Sequence, residues 1–167
     1  GASGETVALA SGVKQSNLNY PAFEAQLSAN QEMSNSTTTK IQFDTERFDT
    51  DNYYDNSTNY RYTPLVAGKY NVYCSGRFDG RANANLNLAN LVIYKNGSNY
   101  LELQKYYVTN YVRQTYNNLS TIIDMNGTSD YLEVFAYFTL TSTGSGNPRI
   151  TGGSQGGAVF GAYRIGT

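Results

Sequence analysis

Hydrophobic and polar residues alternate along most of this chain, and no stretch of useful length repeats with helical spacing. The clearest case is 131–140, where Leu132, Val134, Ala136, Phe138 and Leu140 fall on one side and Tyr131, Glu133, Phe135, Tyr137 and Thr139 on the other. A repeat of two is what a strand shows when one face lies on a core. Segment 68–78 behaves alike, with Tyr70, Val72, Cys74 and Phe78 sharing a face, and 22–29 places Phe23, Ala25, Leu27 and Ala29 together. Further strands are predicted over 40–44, 60–63, 86–95, 98–107, 119–125 and 158–165. Pro64 confines the 60–63 strand to an edge or an end.

Turn chemistry separates these segments. Asn96-Gly97 tolerates positive φ at both positions and predicts a type I′ hairpin between 86–95 and 98–107. Asn126-Gly127 sits in a longer connection. Polar loops are expected over 31–38, 49–58, 110–118 and 141–157. Residues 1–20 read as a cloning remnant, Gly1-Ala2-Ser3, followed by an arm or linker, and 21–167 as a single domain. Regularly spaced short strands suit an all-β jelly-roll sandwich of about ten antiparallel strands.

Composition narrows the chemistry. The 167 residues include 16 Tyr and 7 Phe but no His, no Trp and one Cys. Without histidine there is no Ser-His-Asp or Cys-His machinery and no His-bound zinc. A single Cys cannot close an intrachain disulfide, and Cys74, on an apolar face, reads as a small core residue. A net charge of −1 gives no electrostatic reason to expect nucleic acid or an anionic membrane as partner. No apolar run is long enough to span a bilayer.

The tyrosines then carry the functional reading. Tyr73, Tyr131, Phe135, Tyr137 and Tyr163 lie on strand faces too aromatic for plain solvent exposure, which marks them as candidates for a subunit interface. High β propensity alone is the competing explanation. Tyr53, Tyr54, Asn110, Tyr111 and Tyr116 fall in predicted loops rich in Asn, Ser and Thr, a composition suited to glycan or protein recognition. Asp49, Asp51 and Asp55 form the core of the densest acidic stretch. Loop carboxylates of that kind suit calcium, but Asp also serves turns through local hydrogen bonds. No other cofactor is expected.

From residue 43 to 73 the order of aromatics resembles the signature of the complement C1q and tumour-necrosis-factor (TNF) jelly roll. Phe43, Asp49 and Tyr54 match its spacing, Tyr62 comes one residue late, and Gly68-Lys69-Tyr70 matches its Gly-x-Tyr; Val72 and Cys74 depart from its last two aromatics. Tyr94-Lys95-Asn96-Gly97, Asp130-Tyr131-Leu132-Glu133-Val134 and Phe160-Gly161-Ala162-Tyr163 resemble later elements of the same pattern. The Asn- and Tyr-rich flavour, with Phe48-Asp49-Thr50-Asp51-Asn52, is most like versions in marine bacteriophage structural and tail-fibre proteins. The resemblance implies a ten-stranded jelly roll, a homotrimer and no catalysis. It implies a virion-surface domain that contacts other virion proteins and a host cell-surface glycan or protein. A capsid decoration protein and a secreted bacterial lectin-like adhesin are the alternatives.

Overall fold

A computed structural model describes residues 20–81, 85–108, 112–141, 147–153 and 157–166. These residues form thirteen strands and no helix: β1 (Ala22–Gln26), β2 (Gln31–Glu32), β3 (Thr39–Lys40), β4 (Thr45–Asp49), β5 (Tyr54–Asp55), β6 (Arg61–Tyr62), β7 (Gly68–Asp79), β8 (Leu86–Lys95), β9 (Ser98–Tyr106), β10 (Gln114–Met125), β11 (Leu132–Leu140), β12 (Arg149–Thr151) and β13 (Val159–Gly166). The predicted N-terminal arm lies almost wholly outside the described residues.

The strands make two antiparallel sheets, one of seven strands and one of six. In the first, β7 is central: β10 pairs along its whole length on one side, and β13 and β12 follow end to end on the other. β13 continues through β1 to β4, and β12 to β2. The second sheet runs β5-β6-β11-β8-β9, with β3 also paired to β11. The β8–β9 hairpin turns at Asn96 (φ 53°) and Gly97 (φ 76°), the left-handed pair that Asn-Gly predicts.

Between the sheets the alternating apolar faces meet. The aromatics of the sequence signature are core residues that converge on Phe23. Its ring stacks on Tyr62 at 4.2 Å and on Tyr54 at 4.8 Å, and meets Phe160 edge-on at 4.9 Å. Tyr70 reaches Tyr62, and Phe43 reaches Phe160. The spacing of these rings along the chain is therefore the spacing needed to wrap one buried Phe.

Several predicted segments differ, among them the loops 31–38 and 141–157, which hold β2 and β12. Residues 41–44 are the crossing between sheets and not a strand. The N–H of Ile41 still donates to the Val134 carbonyl of β11, while β4, just beyond, pairs with β1 in the other sheet. Ile41 and Phe43 alternate because both fall into the core on the way. The 49–58 loop holds the end of β4 and all of β5. Finally, β10 begins at Gln114, five residues before the expected start at Leu119, so Tyr116 is a strand residue. Its partner β7 is long enough to pair with that polar extension.

Candidate functional site

The seven-stranded sheet turns one face to the core and leaves the other uncovered. Rows of side chains cross that outer face. One runs Ser120, Tyr73, Gly161, Glu24 and Phe48; the next runs Ile122, Asn71, Tyr163 and Ala22. Phe48, Tyr116, Ile122, Tyr163 and Ile165 are all large, apolar and about half exposed, Ile122 the most so at 54%. Gly161 is what keeps the centre level: it leaves room for the Tyr73 ring to lie down, and the Tyr73 hydroxyl donates to Glu24 at 2.8 Å. Glu24 is also bound by Arg47 at 2.6 Å. Burial and the neighbouring Glu24 carboxylate push the Tyr73 phenol well above its ordinary pKa. The result is a flat, aromatic, hydrogen-bonding surface.

Charge gathers at one end of this face. Gln114, Asp79, Arg149 and Glu32 stand in one row. Asp79 is fully buried. Burial alone would raise its pKa, but the N–H of Arg81, the Arg149 guanidinium and the Gln114 amide outweigh it and hold the carboxyl below its ordinary value. Arg149 donates at 3.0 and 3.2 Å, and Arg113 stands 3.6 Å away.

The outer face of the six-stranded sheet is different, because the chain covers it with its own side chains. Phe135 packs against Tyr94 with ring centres 4.2 Å apart and planes tilted by 33°, and Lys40 sits over the Phe135 ring. The Arg61 guanidinium lies 4.2 Å above the Tyr131 ring. Between these rings Glu133, almost wholly buried, binds Lys40 at 2.6 Å and Arg61 at 3.1 Å. Tyr137 is half-buried opposite Asn90.

The five interface candidates are thus divided. Tyr73 and Tyr163 share the outer face of the seven-stranded sheet, while Tyr131, Phe135 and Tyr137 lie on the opposite side of the sandwich. No single flat contact includes all five. Among the loop candidates, Tyr116 is exposed beside Arg77 on the first face. Tyr53 is half-buried against the core. Tyr54 is corrected outright: only 5% exposed, it donates to the Phe43 carbonyl at 2.9 Å and cannot meet a ligand. Asn110 and Tyr111 lie outside the described residues.

The acidic stretch is built into turns. Asp49 accepts from the N–H of Tyr54 at 2.7 Å and of Asp51 at 3.3 Å. Asp51 accepts from Thr50 Oγ1. Asp55 accepts from the N–H groups of Ser57, Thr58 and Asn59 and from the Asn59 amide, and these bonds, led by Thr58, hold its carboxyl far below the ordinary range. Among the described residues no three His, Cys, Asp or Glu side chains come together as a metal cage would need. Sequence reasoning missed Phe48, Ile122 and Ile165 as companions of Tyr73 and Tyr163. Period-two alternation along 114–125 was the available signal for Ile122.

This arrangement is that of a TNF/C1q-like jelly roll: two antiparallel sheets, the aromatic signature inside, one broad sheet face outside. The chain is similar to the globular domain of zebrafish complement 1qA protein, with a TM-score of 0.61 at 13% identity over 87% of this chain and 97% of that one. It is also similar to murine APRIL at pH 8.5 (TM-score 0.61, 9% identity, 88% of this chain and 100% of that one). Eiger TNF from S. frugiperda gives 0.57 at 11% identity, over 87% and 91%. No protein-family model and no curated protein sequence matches the chain.

Proposed function

We propose that this chain is a non-enzymatic adhesion domain that assembles as a homotrimer and binds a cell-surface receptor. In the finer form of the proposal it sits on a virion surface, as part of a phage tail fibre or appendage, and the receptor is a host glycan or protein. The likeness in fold to receptor-type ligand domains and the phage-like flavour of the sequence support this reading. It is carried by one observation: Tyr163, Ile165, Ile122, Tyr116 and Phe48 crowd one outer sheet face around the levelled Tyr73 ring. A threefold ring needs two different patches on each subunit. The aromatic edge at Tyr100 and Tyr106 of β9 supplies a second, and Tyr100 already reaches across toward β10 at the Ile122 carbonyl.

Light scattering at micromolar concentration tests the assembly. The expected mass is three times the 18.4 kDa of the chain. Tyr163→Arg with Ile122→Lys places charge in the contact centre and should give a folded monomer. A wild-type monomer, or a trimer indifferent to both substitutions, refutes the assignment of this face.

A further inference from the structure

One cavity is lined by none of the residues named on the surfaces above. It measures about 160 Å³ and is lined by Leu27, Ala29, Asn30, Gln31, Gln42, Asp44 and Tyr60. It opens where β1 ends and where the chain crosses between the sheets. Drug-sized ligands fill roughly 300–1,000 Å³, so this space suits something near one sugar ring.

Its lining joins an apolar wall to polar groups, of which Gln31 is committed: its Nε2 donates to the Lys40 carbonyl and its Oε1 accepts from Gln42 N–H, both at 2.8 Å. Leu27 and Ala29 form the wall together with Tyr60. The Gln42 side chain is exposed and, among the described residues, makes no hydrogen bond, and neither does the Tyr60 hydroxyl. Asn30 Oδ1 accepts from Gly152 N–H at 3.1 Å, and among the described residues its NH₂ has no partner. Asp44 is held firmly: Oδ1 accepts from Ser28 N–H at 2.8 Å and Oδ2 from Ser28 Oγ at 2.5 Å. Oδ1 also accepts from Thr45 Oγ1 at 3.3 Å, so Oδ2 is the oxygen that keeps a second lone pair for a ligand.

Tyr60 is the second, independent pointer. It adopts φ 51°, the left-handed region that a bulky residue rarely enters. The four-residue turn before it is fixed by Asp55, and Lys40 Nζ donates to the Asn59 carbonyl at 3.1 Å. The neighbourhood therefore forces a conformation that glycine would adopt without cost, yet the chain has a tyrosine there. Backbone strain of this kind, held in place by its surroundings, is found at ligand clamps.

We infer that this cavity binds a single neutral pyranose residue, with Asp44 Oδ2 accepting from one hydroxyl, Gln42 and Asn30 donating to ring or hydroxyl oxygens, and Tyr60 with Leu27 packing on the sugar's C–H face. A carboxylated sugar is disfavoured, since Asp44 would face it with like charge. The inference deepens the receptor reading above and names where a glycan would touch, but the cavity is testable without it.

The full chain, ¹⁵N-labelled, is titrated with methyl glycosides of glucose, galactose, mannose, fucose and N-acetylglucosamine, and with methyl glucuronide. Saturable shifts centred on the Ser28, Asn30, Gln42 and Tyr60 amides are expected with at least one neutral glycoside and not with the glucuronide. Gln42→Ala and Tyr60→Gly should weaken that binding about tenfold or more. Tyr60→Gly should at the same time melt no lower than wild type, which a purely structural tyrosine would not allow. Absence of any saturable shift with the neutral glycosides, or unchanged affinity in both variants, overturns the inference. Adhesion to immobilised bacterial polysaccharides is measured in parallel. Adhesion that persists unchanged in Tyr60→Gly overturns the cavity assignment and leaves the receptor reading standing. Saturable glycoside binding without wild-type adhesion does the reverse.

Discussion

The Tyr73 ring lies directly over Gly161, so close that a β-carbon at 161 would collide with the ring and stand 2.9 Å from the Phe23 carbonyl oxygen. The pair levels the middle of the outer sheet face and lets the Tyr73 hydroxyl reach across β13 to Glu24 on β1. Gly161→Ala should therefore destabilise the fold by about 1–3 kcal/mol, the range for forcing extra volume into a packed site. Urea denaturation reads it. In a Tyr73→Ala background the same change should cost less, because the ring is gone and only the Phe23 carbonyl remains. Equal costs in the two backgrounds would show that the ring is not what excludes a side chain at 161.

Two buried tyrosines should respond in opposite ways to losing a hydroxyl. Tyr54 donates to the Phe43 carbonyl, and Tyr54→Phe should cost about 1–2 kcal/mol. Among the described residues the Tyr62 hydroxyl is buried with no hydrogen-bond partner, so Tyr62→Phe removes an unsatisfied group and should be neutral or stabilising. Thermal melts of the two variants against wild type decide the matter, and a large loss for Tyr62→Phe would reveal a partner for that hydroxyl.

Acid should weaken the charged end of the first sheet. The Asp79 carboxyl is held below its ordinary value of 3.8, so its contribution to stability is complete above that value and is lost as the pH falls through the lower folded-state value. Asp79→Asn should cost about 2–3 kcal/mol near neutrality by leaving Arg149 without its charged acceptor. The gap between the two proteins should be flat from pH 7 to about 5 and narrow below 3.8. Chemical denaturation across pH 2–7 measures it, and a gap that persists at pH 2 would assign the effect to packing.

Cys74 should be silent in the native protein. It is enclosed by the core, and burial pushes its thiol far above the ordinary range. A thiol reagent should label it only at the rate of unfolding and fully in denaturant. Rapid native labelling would mean that the strands around it open.

Local alternation made most of this fold legible in the sequence. Residues 68–78 and 131–140 each announce a core face, because a pleated strand places every second side chain on one side whatever its partner. Asn96-Gly97 announces its hairpin for a similar reason, since its left-handed dihedrals are a property of two residues. The spaced aromatics from Phe43 to Tyr70 carry the resemblance to the TNF and C1q jelly roll, and they do so because they share one ring cluster: Tyr54 and Tyr62 stack on Phe23, Tyr70 meets Tyr62 edge-on, and Phe43 meets Phe160. What alternation could not place was anything set by the partner strand. The polar start of β10, the short strands β2, β5 and β12 inside apparent loops, and the crossing at 41–44 each take their state from a partner elsewhere in the chain.

The same limit governs the candidate sites. By itself the sequence determined that the chain is all-β, that it is rich in tyrosine and amide side chains, and that it has no histidine; these follow from composition and from the period of two. Only the tertiary structure decided which tyrosines are available. It buried Tyr54, covered Tyr131 and Phe135 with cations from other strands, levelled Tyr73 over Gly161, and brought Asp44, Gln42, Asn30 and Tyr60 around one cavity. Exposure and convergence depend on which distant strand lies alongside, and hydrogen-bond pairing across a sheet leaves no local mark in the order of residues.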